Sequence, residues 1–118
     1  MHNIKDLKIW NKAIDLAIWI YELSGKFPVD ERFGLISQIR RCAISVPSNI
    51  SEGAGRNTKG EFKQFLGIAN GSCYELQTQI VIAQKLGFIS NEDCSDILNR
   101  IDELQKMNYK LQSALTQK

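Results

Sequence analysis

The sequence predicts an all-α fold, an antiparallel up-down four-helix bundle with its second helix kinked at Pro47. Three observations predict it. Apolar residues recur at three- and four-residue steps in four separate stretches, the spacing that keeps one face of a helix apolar. No Asn-Gly or Asp-Gly hairpin lies between alternating apolar runs, so strand signals are weak. The connections between the stretches are short, which places neighbouring helices antiparallel. With 118 residues, 43% apolar and 24% charged, the chain (1–118) is expected to form a single domain that buries a core without disulfides or metal.

The first helix is expected over residues 6–24, with Gly25 as its C′ residue and Phe27-Pro28 beyond it. At 100° per residue its apolar side chains fill an arc of roughly 220°, about twice the stripe that an outer bundle helix needs. That width places the helix centrally in the bundle or gives it a second surface against another subunit, for which Trp10, Trp19 and Ile20 are the candidates.

The second helix is expected over residues 30–52. Ile36, Ile39, Ala43, Val46 and Ile50 step by 3, 4, 3 and 4 straight past Pro47. Proline lacks an N–H, and its ring crowds the carbonyl four residues back, here that of Ala43. The unbroken register predicts a helix that continues with a kink. Gln38, Arg41, Ser45, Asn49 and Glu52 fall opposite the apolar stripe as a polar seam, with Ser45, Ser48 or Asn49 placed to satisfy the Ala43 carbonyl.

Thr58-Lys59-Gly60-Glu61 is a capping box that opens the third helix. Phe62, Leu66, Ala69, Cys73, Leu76, Ile80 and Ala83 form its stripe, and Gly87 closes it. Gly67 and Gly71, one turn apart, are expected to admit another helix closely. Ser90-Asn91-Glu92-Asp93 opens the fourth helix, with Ile89 and Cys94 as a hydrophobic staple. Ile97, Ile101, Leu104, Leu111 and Leu115 make its stripe, interrupted by Asn108.

Candidate sites are few. Arg40, Arg41, Arg56, Lys59 and Lys63 cluster against only Glu52 and Glu61, and residues 51–59 are the longest non-periodic part of the chain. A basic, glycine-containing loop before a helix N-terminus suits phosphate. GAGRNTKG lacks the order of a phosphate-binding P-loop and follows no strand, which argues against nucleotide binding. His2 is the single histidine, no HExxH or paired cysteines occur, and no catalytic constellation or metal-ligand spacing emerges; neither an enzyme nor a cofactor is expected. The three cysteines, Cys42, Cys73 and Cys94, fall on or beside apolar stripes and read as buried reduced thiols of a cytoplasmic protein. The first residues lack the apolar h-region of a signal peptide, and no membrane partner is expected. A net charge of +2 is too small to hold nucleic acid through one subunit.

The runs GLISQIRR, SVPSNISEG and FLGIANGSCYEL, in this order and spacing, resemble the four-helix bundle family of 23S rRNA intervening-sequence proteins. The resemblance spans residues 6–89. That family is similar in fold to the accessory variability determinant proteins of diversity-generating retroelements, basic pentamers that bind nucleic acid. The resemblance implies a bundle assembled into a ring, expected as a homopentamer, with RNA or DNA as candidate partners. A protein–protein scaffold with no nucleic-acid role is the alternative.

Overall fold

The computed structural model describes residues 3–116. The described residues form four α-helices: α1 Lys8–Ser24, α2 Leu35–Ala54, α3 Lys59–Lys85 and α4 Asn91–Thr116. Single 3₁₀ turns, Ile4–Asp6 and Val29–Glu31, precede α1 and α2, and no strand occurs among the described residues. α1 packs on α2 and α4, and α3 packs on the same two, most extensively on α2. The body measures 49 × 23 × 20 Å.

Local chemistry explains each boundary. α1 starts later than its apolar pattern because the Asn3 side chain accepts from the Lys5 amide and winds residues 4–6 into the 3₁₀ turn. Residues 29–31 likewise take a separate turn, so α2 begins at Leu35 rather than near residue 30; the Glu31 carboxylate accepts from the Leu35 amide at 3.2 Å. Thr58 accepts from the Glu61 amide at 3.1 Å, the expected cap of α3. The Glu61 carboxylate turns to the Thr58 hydroxyl, at 2.9 Å. Gly87, at φ +82, ends α3 in a left-handed residue. The Phe88 amide donates to Ala83 O at 2.9 Å and the Gly87 amide to Gln84 O at 3.0 Å, a Schellman closure. The Asp93 amide donates to Ser90 Oγ at 3.0 Å and so caps α4. Gly25 departs from expectation: at φ −63 it remains right-handed. Its amide donates to Tyr21 O at 3.2 Å, and a donor from α2 joins it at that carbonyl. Arg40 Nη2 donates to Tyr21 O at 3.0 Å.

α2 runs through Pro47 without interruption. Pro47 is buried. Ser45 Oγ donates to Cys42 O at 2.6 Å and Asn49 Nδ2 to Ser45 O at 2.8 Å. These polar side chains thus bond carbonyls beside that of Ala43, not the Ala43 carbonyl itself.

The four stripes meet in one core, where Leu16, Ile39, Ile50, Leu66, Ile80 and Ile97 are fully enclosed. Gly53 marks a close approach of α2 to α3. A Cβ there would stand 2.7 Å from Phe65 Cβ and 3.0 Å from Phe62 Cδ1. Gly67 and Gly71 correct the expectation of a close helix: within the chain a Cβ at either would meet nothing inside 4 Å. All three cysteines are buried and free. Burial pushes the Cys42 and Cys73 thiols up to about 12, with Glu75 and Cys73 adding to the effect at Cys42.

Candidate functional site

The basic residues divide into two groups. Arg40 is committed to the fold. Its Nε donates to Ser24 Oγ at 2.8 Å, its Nη2 reaches Tyr21 O, and its guanidinium lies 4.6 Å from the centre of the Tyr21 ring. Arg41 is exposed beside it. Fifteen residues of helical rise, about 22 Å, separate Arg41 from Arg56 at the other end of α2. Arg56 pairs with Glu52 at 3.2 Å, both half exposed, and stacks 4.8 Å from the centre of the Phe65 ring. An exposed pair of this kind holds its partners loosely. Lys59 is exposed in the first turn of α3 and Lys63 is half-buried one turn on. Arg56, Lys59 and Lys63 therefore gather where α2 hands over to α3, at the positive end of the α3 dipole.

The polar seam is only partly a contact surface. Ser45 and Asn49 are half-buried and bond back onto their own helix. Gln38 is exposed, and Glu52 is engaged by Arg56.

The wide apolar arc of α1 resolves into two stripes. Ile9, Ala13, Leu16, Ala17, Ile20 and Leu23 are buried in the bundle's own core. Ile20, 1% exposed, is thus already covered by its own chain. The second stripe, Leu7, Trp10, Ile14, Ile18 and Tyr21, lies about 100° round the helix; Ile18 is 54% exposed, Tyr21 is exposed, and Trp10 and Ile14 are half-buried. Trp19 points elsewhere, toward α4, where the Arg100 guanidinium covers its ring at 4.6 Å. α3 has an outward stripe of its own: Ile68 and Ile82, 47% and 45% exposed, flank Tyr74 and the open glycines Gly67 and Gly71. α1 and α3 occupy opposite corners of the packing circuit, each touching α2 and α4, so their outer stripes face different ways.

A further feature joins two helices that the sequence does not visibly connect. A polar cleft of about 250 Å³ runs between α3 and α4, and Lys63 stands at its rim. Asn108, the break in the α4 stripe, is the buried amide at its floor.

His2 lies outside the described residues. Among the described residues no group of three or more His, Cys, Asp or Glu side chains could hold a metal ion. No helix among them is long and apolar enough to cross a membrane.

The family model of 23S rRNA-intervening sequence proteins matches residues 5–110. Comparison with curated proteins gives no match. Among solved structures, a protein of unknown function from the S23 ribosomal protein family of Bacteroides thetaiotaomicron VPI-5482 is similar, with a TM-score of 0.82. Its identity is 22%, over 89% of this chain and 95% of that one, a likeness of fold.

Proposed function

The chain belongs to the 23S rRNA-intervening sequence protein family, and from that premise we propose that it is a non-enzymatic, self-assembling helical bundle that holds RNA weakly through its phosphates. The observation that carries the assembly is the pair of outward apolar stripes, Ile14, Ile18 and Tyr21 on α1 and Ile68, Tyr74 and Ile82 on α3. Stripes on opposite corners of one chain favour a head-to-tail contact, in which α1 of one copy meets α3 of the next; such contacts form a ring when their rotation closes and a filament when it does not. We take the ring to be a homopentamer, as the family resemblance implies. Gly67 and Gly71, open within the chain, give α3 the shallow groove that a neighbouring helix would enter.

Each subunit is proposed as a single domain with up-down antiparallel helices. Paired contacts support this reading. Cys42 meets Ser72 while Gly53 meets Phe62, and Leu66 meets Asn108 while Gln84 meets Asn91. On each pair of helices, residue numbers rise along one and fall along the other. A kink at Pro47 belongs to the same reading, because the Ala43 carbonyl loses its helical donor there.

RNA contact is assigned to Arg56, Lys59 and Lys63, repeated around the ring, with DNA as the lesser partner and the cytoplasm as the place of action. One subunit offers too few cations for firm binding at net charge +2. Several acting together neutralise many phosphates, and affinity then falls steeply with salt. Filter binding of a structured RNA at low and physiological salt tests this, with wild type beside an Arg56→Glu, Lys59→Glu variant. Salt-sensitive retention by the wild type and its loss in the variant are expected. Equal retention by both, or none by either at low salt, would reject it. The second reading, a protein scaffold without nucleic acid, draws on Arg40 and Arg56: one is committed to Ser24 and Tyr21, the other is paired with Glu52.

A further inference from the structure

The α3–α4 cleft is lined by Asn70, Gln105, Asn108 and Gln112, with Lys63 and Tyr109 at its rim. Four carboxamides in one cleft are unusual between two packed helices, where apolar residues would close the gap. Two of them are organised. Asn108, buried on all sides, donates through Nδ2 to Leu66 O at 2.8 Å and accepts from Gln112 Nε2 at 2.6 Å. The other two hold unused capacity: Asn70 Oδ1 and Gln105 Nε2 are buried without a hydrogen-bond partner among the described residues. One is an acceptor and the other a donor, on facing helices. Leaving such groups unpaired is costly, whereas apolar residues of the same shape would carry no such penalty.

The lining also selects its occupant. It holds no carboxylate, and its one charge is the Lys63 ammonium. A carboxamide presents a donor and an acceptor side by side, the pattern that matches the edge of a nucleobase. Tyr109 is 74% exposed at the rim and gives a ring on which a base can stack. Lys63 belongs both to this cleft and to the basic group at the start of α3, so a chain whose phosphates lie on Arg56, Lys59 and Lys63 passes the mouth of the cleft.

We infer that the α3–α4 cleft receives one unpaired base of a bound RNA, with Asn70 and Gln105 turning to its edge and Tyr109 stacking on its face. The inference rests on the RNA reading above and adds a base-dependent component to a contact otherwise made with phosphates alone. The cleft's polar side chains then act as a lock for loop nucleotides, since in a duplex the Watson–Crick edges are already paired and the base faces already stacked.

The test compares two hairpin RNAs in filter binding at low salt: one with a uridine loop, the other identical but with an abasic loop. The proteins are wild type, Asn70→Leu with Gln105→Met, Tyr109→Ala, and the Arg56→Glu, Lys59→Glu variant. Wild type should hold the uridine loop about tenfold more tightly than the abasic one, the size of one stacked and hydrogen-bonded base. Both cleft variants should bind the two hairpins alike, at the wild-type abasic affinity. Tyr109 is exposed, so its truncation reports on binding without loss of the fold. Equal affinity of wild type for both hairpins would overturn the base site and leave the phosphate reading standing. A preference for the uridine loop that survives in both cleft variants would place the base elsewhere and also overturn it. Absence of any retention at low salt would remove both readings together.

Discussion

Replacing Gly53 by alanine should destabilise the protein, while the same change at Gly67 or Gly71 should stabilise it. All three lie inside helices, where alanine is worth about 1 kcal/mol more than glycine. At Gly53 the new methyl carbon would meet Phe65 Cβ at 2.7 Å, Phe62 Cδ1 at 3.0 Å and the Phe62 carbonyl oxygen at 3.2 Å. Carbon atoms pack at about 3.5–4.0 Å, so α3 must retreat by about 1 Å. Two of those three atoms are a backbone oxygen and a Cβ, which no rotamer change can move aside. Overpacking on this scale costs about 1–3 kcal/mol, and Phe62 is buried in the core. Set against the helix gain of about 1 kcal/mol, a net loss of up to about 2 kcal/mol is expected. At Gly67 and Gly71 no atom lies within 4 Å of the added carbon, and each change should yield about 0.5–1 kcal/mol. Urea denaturation followed by circular dichroism reads all three, and repeating it over a range of protein concentrations separates helix stability from assembly. A Gly53→Ala variant that gains stability as the Gly67 and Gly71 variants do would refute the close α2–α3 contact.

Leu66→Ala, at a fully buried position, should cost about 2–5 kcal/mol in the same assay. Arg40→Ala should lose about 1–2 kcal/mol through its bonds to Ser24 and Tyr21, yet leave RNA retention on filters unchanged, which separates it from Arg56 and Lys59. Pro47→Ala restores a donor to the Ala43 carbonyl and should raise the urea midpoint, while light scattering shows a weakened assembly if the kink shapes the contact face. Cys42 and Cys73 should resist a thiol reagent at pH 8 in the native protein and react fully in urea, because burial holds both thiols at about 12, above the ordinary 9.0. The raised values favour the neutral thiol in the folded chain. Their contribution is therefore complete below about pH 9 and is lost as pH climbs from there toward 12.

Signals that act within a few residues were legible in the sequence. The caps at Thr58 and Ser90, the glycine at 87 and the apolar stripes depend on neighbours three or four positions away, although in α4 full burial ends at Asn108 and leaves Leu111 and Leu115 half-buried. The Val29–Glu31 turn was not legible, since its residues fit the first turn of a helix equally well. Gly25 does end α1, but as a right-handed residue, and the help its end receives from Arg40, sixteen residues beyond Ser24, was not legible. The close glycine was not legible for a similar reason: Gly53 lies one residue past the expected end of the second helix, and only its juxtaposition with Phe62 and Phe65 shows it as the close contact. Of the candidate site, the basic turn at Arg56, Lys59 and Lys63 was visible as a local run. The cleft was not, although Asn108 marked one end of it. Asn70 and Gln105 stand thirty-five residues apart, and no periodicity within α3 or α4 relates them.

Sedimentation velocity of the wild type beside an Ile18→Glu variant tests the central claim, that outward stripes on α1 and α3 build a ring. Ile18 is half exposed and outside the core, so a charge there leaves the subunit folded while spoiling an apolar contact. At micromolar concentration the wild type should sediment with five times the 13.4 kDa of the chain, and the variant as a folded particle of one chain. A wild type of single-chain mass, or a variant that assembles as the wild type does, would contradict the account.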